Sequence, residues 1–251
     1  MSERPDSGAS MESAVSGQTI LVIFAAMLIG VVFSLVVLPT WLPRLAGSLT
    51  GPQPKVFWYL SRATAFVAMG LLWASMMLGL GISNKLARLW PGAPAAFAIH
   101  EYVSLLGLAF AGFHGLILLG DQYSKFTLAQ LLSPFATASY RPFWVGLGQL
   151  GLYVWAIVTA SFYVRKHIGQ RTWRLLHFAS FLSYAGALVH GLASGTDTGQ
   201  TWALLFYLVT SGSFVFLFIY RVLASLADMI EKALETPTPV PAPVRDRGNG
   251  T

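Results

Sequence analysis

The sequence predicts an all-α integral membrane protein, folded as a bundle of six transmembrane helices. Its 251 residues are 55% hydrophobic and only 10% charged, whereas soluble globular proteins are about 25% charged. The apolar residues fall into six runs, each close to the roughly 20 residues that cross a bilayer. Prolines lie at or between the ends of these runs, where they punctuate helices. Together these observations exclude a soluble globular fold.

The chain divides into one membrane domain with two polar ends. Residues 1–17 are polar and are expected to form a disordered tail. Residues 18–223 form the predicted six-helix domain, and 224–235 continue the last helix as an amphipathic extension at the cytoplasmic surface. Residues 236–251 are rich in proline and are expected to be disordered. The six runs are 19–38, 56–80, 97–120, 142–164, 175–193 and 201–219.

Basic residues are divided unevenly between the two sides that the six runs define. Eleven lysines and arginines lie on the side that holds both termini and the loops 81–96 and 165–174, against five on the other side. The positive-inside rule therefore places both termini in the cytoplasm. The net charge of +6 reflects this topology rather than a nucleic acid partner. We expect a multi-pass protein of a bacterial-type plasma membrane, surrounded by the lipid bilayer.

Cysteine is absent from the sequence. This composition excludes disulfides, thiolate-ligated iron–sulfur clusters, covalent c-type haem attachment and a cysteine nucleophile. Any redox centre is therefore expected to be held by histidine or by non-covalent contacts.

Four of the five histidines lie inside two of the apolar runs. His100 and His114 are 14 residues apart in the third run, and His177 and His190 are 13 residues apart in the fifth. At about 1.5 Å per residue, these spacings separate the two rings of each run by roughly 20 Å along a helix. The hydrocarbon core of a bilayer is about 30 Å thick. Each helix therefore places one imidazole toward each membrane face.

The predicted topology sets the depth of each imidazole. The third and fifth runs cross from inside to outside, so His100 and His177 lie at the inner level and His114 and His190 at the outer level. Histidine within a span is costly and usually functional, and neutral imidazole is a common axial ligand of haem iron. No cysteine or carboxylate set accompanies these residues, as zinc or di-iron sites would need. Matched depths favour two b-type haem sites over hydrogen-bonded helix packing.

The two spacings differ in helical phase. At about 100° per residue, 14 residues return to nearly the same helix face, but 13 residues fall well short of it. The fifth helix therefore needs a local distortion, which we expect near Gly186, or its two haems approach from different sides. Gly107, Gly112, Gly115 and Gly186 either let a flat macrocycle lie against the backbone or pack helices closely.

Three further polar residues are candidates for a role beside these histidines. Arg62 lies near the outer end of the second run, where a charge needs a partner. The alternatives are an outer haem propionate, an anionic acceptor at the haem edge or snorkelling to the interface. Glu101, the only acidic residue inside a run, either partners His100 or reaches the interface. His167 lies among basic residues of the 165–174 loop and is expected to be solvated. No catalytic acid or base is assigned.

One motif is rejected on its context. Residues 146–151 match G-x-G-x-x-G letter for letter. A dinucleotide-binding site requires this motif between a strand and a helix of a βαβ unit. Here the motif lies inside the fourth predicted span, so it does not indicate a nucleotide site.

The sequence resembles the ferric reductase-like transmembrane domain superfamily over about residues 56–223. The resemblance lies in W-Y-L-S-R-A-T at 58–64, in the 14-residue spacing of His100 and His114, and in W-R-L-L-H at 173–177 followed by His190 and a glycine. This superfamily includes ferric reductases, the membrane half of NADPH oxidases and the haem subunit of periplasmic methionine sulfoxide reductase systems.

The resemblance implies two b-type haems and a direction of electron flow. It implies that His100 and His177 ligate the inner haem iron and that His114 and His190 ligate the outer one. It also implies electron flow from the cytoplasm to the outer side. Oxidases and eukaryotic reductases of this family carry a cytoplasmic flavin- and NADPH-binding domain, which we do not expect after residue 219. A separate reductase, with its flavin, or the quinol pool is then expected to supply electrons. Oxidases of this family tend to have a second histidine one helical turn beyond the outer ligand of the third helix. Leu118 stands at that position here.

Three functional hypotheses follow from this sequence. The first is a di-haem b transmembrane electron-transfer protein, an oxidoreductase component whose outer acceptor is ferric iron, oxygen or a periplasmic redox partner. The second is a haem-b membrane anchor subunit that exchanges electrons with quinone in a respiratory-type complex. The third is a haem-free transporter that uses its intramembrane histidines for protons or metal, and it predicts acidic partners within the spans.

Overall fold

The structure, a computed structural model, describes residues 16–41, 55–86, 92–137 and 140–235. Within these ranges every regular element is helical. A short 3₁₀ turn, Ile117–Gly120, follows the third helix. The helices are α1 (Gly17–Trp41), α2 (Val56–Ser83), α3 (Ala93–Leu116), α4 (Leu128–Leu132), α5 (Pro142–Tyr163), α6 (Arg165–Ile168), α7 (Gln170–Phe178), α8 (Ser180–Ser194) and α9 (Thr201–Glu235).

Five helical segments are long and apolar enough to cross a membrane, which confirms the prediction of an all-α membrane protein. They are Val56–Ser83, Ala93–Gly120, Pro142–Tyr163, Gln170–Ser194 and Thr201–Leu234. Helix α1 is also apolar over its 25 residues, but it is not among these five segments. The count of six spans and the side of the termini therefore stay predictions. The predicted tails lie almost entirely outside the described residues.

Helices α2 and α3 form the largest interface of the bundle, and α5 with α8 forms the next. Between these two layers lies a buried cluster of Met69, Leu72 and Met76 from α2, Trp155 from α5 and Tyr184 from α8. Trp155 and Tyr184 are 7% and 1% exposed, so this cluster forms the core of the bundle. Helix α9 packs against α2, and its Phe206 and Phe214 contact this cluster.

The interface between α5 and α8 depends on two glycines. A Cβ atom at Gly151 would lie 3.4 Å from the carbonyl oxygen of Ser183, and one at Gly186 would lie 3.5 Å from that of Leu147. The two backbones are therefore in direct contact, as small residues permit in membrane bundles. Gly107 similarly faces the ring of Trp155, whose Cη2 would lie 2.7 Å from an added Cβ. These three glycines pack helices.

The predicted fifth span is broken into α7 and α8, so the expected local distortion is present. It lies at Ala179 and not near Gly186. The N–H of Ala179 donates to the carbonyl oxygen of Leu176, three residues earlier, at 2.9 Å. This tighter turn changes the angular relation of the residues before and after it. The break therefore lies between His177 and His190 and changes their helical phase slightly.

Replacing Gly186 with leucine is expected to destabilise the bundle. An added Cβ already touches the carbonyl oxygen of Leu147 at 3.5 Å, so the further atoms of leucine are expected to push α5 and α8 apart, and overpacking of this kind costs about 1–3 kcal/mol. The midpoint of thermal unfolding in detergent should fall. The matched control is Gly212→Leu, because Gly212 on α9 has no atom within 4 Å of an added Cβ. Equal melting temperatures for the two variants would contradict the close packing of α5 and α8.

Candidate functional site

The four histidines of the apolar runs come together as two pairs. His100 of α3 faces His177 of α7 with ring centroids 6.2 Å apart. His114 of α3 faces His190 of α8 with the same separation of 6.2 Å. The ring planes are inclined by 73° and 68°. Helix α3 and the α7–α8 segment therefore run parallel, and they bring together the partners that the sequence analysis expects.

The separation within each pair matches two imidazoles on opposite sides of one metal ion. A metal–imidazole bond is about 2.0 Å and the bonding nitrogen lies about 1.15 Å from the ring centre, so two such rings have centroids about 6.3 Å apart. Both observed separations are 6.2 Å. A direct hydrogen bond between the rings would bring them closer. The centroid separation in each pair therefore fits one metal ion between the two rings.

Hydrogen bonds to backbone carbonyls fix the tautomer of three of these imidazoles. Nδ1 of His100 lies 2.9 Å from the carbonyl oxygen of Ser75, and Nδ1 of His114 lies 2.8 Å from that of Ser61. Nδ1 of His190 lies 2.9 Å from the carbonyl oxygen of Trp144. A carbonyl oxygen only accepts, so each Nδ1 carries the proton and donates it. Nε2 of each neutral ring keeps its lone pair for a metal.

The fourth imidazole, that of His177, is held by packing. Its ring lies 5.2 Å from the ring of Trp173, with an interplanar angle of 33°. Among the described residues no hydrogen bond is formed by the ring of His177. The inner pair thus combines one hydrogen-bonded and one stacked imidazole, whereas the outer pair has two hydrogen-bonded ones.

Ser61 and Ser75 of α2 are residues of the candidate site that the sequence analysis did not single out. They are 14 residues apart, the same spacing as His100 and His114 on the neighbouring helix. Because Ser61 contacts His114 and Ser75 contacts His100, α2 and α3 are antiparallel. Equal spacings of polar residues on consecutive predicted spans were the signal that could have identified them.

A cavity of about 410 Å³ lies beside the outer pair. Cavities of about 300–1,000 Å³ are typical of small-molecule and cofactor sites. Its wall is mainly apolar, and His100 and His177 are not part of it. Gly112 and Gly115 lie on this wall, and an added Cβ at Gly112 would have no atom within 4 Å. Besides His114 and His190, the polar groups on the wall include Arg62, Gln149 and Asp197.

Gly148 makes room for the outer imidazole of α8. A Cβ atom at this position would lie 2.5 Å from Cγ of His190, a distance that cannot be tolerated by the rigid ring. Gly148 and Gly151 both belong to the G-x-G-x-x-G match, which lies inside helix α5. The glycines of this motif therefore serve helix packing and histidine placement, in agreement with its rejection as a nucleotide site.

Arg62 is paired with Asp197 of the loop between α8 and α9. Its Nε donates to Oδ2 of Asp197 at 2.8 Å, and a second guanidinium nitrogen contacts Oδ1. The side chains are 33% and 14% exposed. The sequence analysis expected a propionate, an anionic acceptor or the interface to satisfy Arg62, and it missed Asp197 because this residue lies outside the apolar runs.

Glu101 packs against the end of α5, and its two alternatives, partnering His100 or reaching the interface, stay predictions. It is only 6% exposed, and its carboxylate accepts a hydrogen bond of 2.8 Å from the hydroxyl of Tyr163 at the end of α5. His167 lies exposed on α6, as expected.

Gln149 connects the outer loop to the cavity wall. Its amide nitrogen donates to the carbonyl oxygens of Gln130 and Leu131, at 2.7 and 2.8 Å. The short helix α4 that carries these acceptors begins with a capping box between Thr127 and Gln130. This loop is therefore anchored over the outer end of the cavity by hydrogen bonds.

Each histidine pair supplies two nitrogen ligands. Within the described residues no group of three or more His, Cys, Asp or Glu side chains converges on a metal position. A tetrahedral zinc site takes three or four such ligands from the protein, whereas haem iron receives its equatorial ligands from the macrocycle and needs only axial ones. At the outer pair the donor set, the 6.2 Å separation and the apolar cavity fit haem, and at the inner pair the fit rests on the donor set and the separation.

Comparisons of the chain with family models, curated proteins and solved structures find no significant match. The residues of the site therefore carry the functional assignment.

The ion pair of Arg62 and Asp197 is expected to couple α2 to the loop before α9. In a double-mutant cycle with Arg62→Gln and Asp197→Asn, the double variant should lose less stability than the two single losses combined, by about 1 kcal/mol. Thermal unfolding in detergent measures each loss. Lys166→Gln, on the exposed part of α6, is the control for removing a positive charge. Strictly additive losses would show that the two residues do not interact.

Proposed function

We propose that this chain is a di-haem b transmembrane electron-transfer protein. In this proposal it carries electrons from a cytoplasmic or quinol donor to an acceptor on the outer side of the membrane. The observation that carries the proposal is the presence of two histidine pairs, each 6.2 Å apart, at opposite ends of α3. Haem bound between such pairs supplies one-electron chemistry through its iron.

The separation of the two pairs along α3 supports a path across the bilayer. Fourteen residues of helix correspond to about 21 Å, a large part of the roughly 30 Å hydrocarbon core. One pair alone would leave most of this distance without a redox centre. In the proposed topology both termini and the inner pair, His100 and His177, lie on the cytoplasmic side.

The residues around the pairs have distinct tasks in this function. The backbone acceptors of Ser61, Ser75 and Trp144 hold three imidazoles in the tautomer that ligates a metal through Nε2. The buried cluster around Trp155 packs the helices that carry the two pairs against one another. Arg62 would bring positive charge to the outer cavity, where it can meet a haem propionate or an anionic acceptor only by sharing or leaving Asp197.

The donor and acceptor are proposed by class. The sequence resemblance to the ferric reductase-like superfamily favours a separate flavin-containing reductase or quinol as the electron donor. It favours ferric iron, oxygen or a periplasmic redox partner as the acceptor. The haem-free transporter is supported less well, because no third metal-binding side chain joins either histidine pair within the described residues.

Purified protein is expected to contain two low-spin b haems per chain. A reduced-minus-oxidised spectrum with a haem-to-chain ratio measures this. His100→Ala and His177→Ala should each remove the same haem, and His114→Ala and His190→Ala the other. Wild-type protein without haem, or losses that do not follow these pairs, would overturn the proposal.

Replacing Gly148 with valine is expected to remove the outer haem alone. The new side chain occupies the position of the His190 ring, whereas the inner pair is about 21 Å away along α3. The haem-to-chain ratio should fall by about half, with one spectral component lost. Gly81→Val is the control, because Gly81 on α2 has no atom within 4 Å of an added Cβ. Retention of both haems in Gly148→Val would show that the outer ligand is not His190.

A further inference from the structure

Two buried serine hydroxyls face the histidines of α3, one at each level. Ser61 is 3% exposed and Ser75 is 5% exposed. Oγ of Ser61 lies 3.0 Å from Nδ1 of His114, and Oγ of Ser75 lies 3.3 Å from Nδ1 of His100. These contacts are additional to the backbone carbonyl of the same serine at each imidazole. Each Nδ1–H therefore meets two oxygen atoms of one residue.

At the outer level the hydroxyl proton of Ser61 has another acceptor. Oγ of Ser61 donates to the carbonyl oxygen of His114 at 3.1 Å. A hydroxyl has one proton and two lone pairs, so the side that faces Nδ1 is an acceptor. Ser61 thus forms a cyclic contact with both the backbone and the ring of His114.

At the inner level the hydroxyl proton of Ser75 is accepted by a second serine, Ser104. Oγ of Ser104 donates to the carbonyl oxygen of His100 at 2.7 Å, which uses its only proton. The 2.6 Å contact between the hydroxyls of Ser75 and Ser104 must therefore use the proton of Ser75. The oxygen of Ser75 again presents only lone pairs to Nδ1 of His100.

The second imidazole of each pair has a different environment at the two levels. His190 has a backbone carbonyl at Nδ1 and His177 has the ring of Trp173. Neither ring receives a serine oxygen within the described residues. The serine contact is therefore specific to the ligand from α3 in both pairs.

We propose that Ser61 and Ser75 are positioning residues that set the electron-donating strength of His114 and His100 toward the metal. This inference rests on the proposed function. An acceptor at Nδ1–H raises the basicity of the ligand at Nε2. A more basic axial ligand stabilises the oxidised, more positively charged metal, so each serine lowers the reduction potential at its own level only.

The test is a redox titration of purified holoprotein with Ser61→Ala and Ser75→Ala. Ser61→Ala should shift the midpoint potential of the outer haem to a more positive value and leave the inner one unchanged, and Ser75→Ala should do the reverse. The low-spin ferric signal of the same haem should change in electron paramagnetic resonance spectra. The control is Ser161→Ala, a buried serine of α5 whose hydroxyl donates to the carbonyl oxygen of Val158.

The outcomes separate this inference from the function on which it rests. Unchanged potentials in both variants, with two haems bound, would overturn the role of the serines and leave the electron-transfer function intact. Shifts of both haems in one variant, or loss of one haem, would assign the serines a general structural role and overturn the inference. Wild-type protein without haem would overturn both.

Discussion

An imidazole N–H that is left unpaired in hydrocarbon costs several kcal/mol, which favours a protein acceptor for it. Carbonyl oxygens of neighbouring helices provide this acceptor for His100, His114 and His190. A helical carbonyl already accepts one intrahelical bond, but its second lone pair remains available. The helices must therefore approach closely enough for a side chain of one to reach the backbone of the next, and much of the bundle serves this requirement.

The close approach is achieved differently on the two sides of the site. On the α3 side, the acceptors belong to serines, whose small side chains add a second oxygen without separating α2 from α3. On the α8 side, Gly148 and Gly151 remove side chains from α5, so that the carbonyl of Trp144 can reach His190. Small residues at helix interfaces are common in membranes, and here they also decide where a polar ring can be placed.

The apolar runs and histidine spacing predicted the helical membrane fold and the residues that meet at each level, because both follow from the fixed rise of a helix. The position of the break at Ala179 was not predictable, because alanine is an ordinary helix former and the break reflects packing. Asp197 and the burial of Glu101 beside Tyr163 depend on contacts between distant segments. Hydropathy and local spacing contain no information on such contacts. Ser61 and Ser75 were detectable only by comparing the spacings of two helices.

The equal intervals of 14 residues on α2 and α3 fix the distance between the inner and the outer level. A single inserted residue between His100 and His114 would turn one ring by about 100° and move it by about 1.5 Å relative to the other. The insertion would leave the serines of α2 in place, so at one level at least the histidine would no longer meet its serine. An insertion or deletion within these helices therefore cannot alter one level without disturbing its relation to the other. Substitutions around a fixed length are the remaining route by which the two levels can diverge.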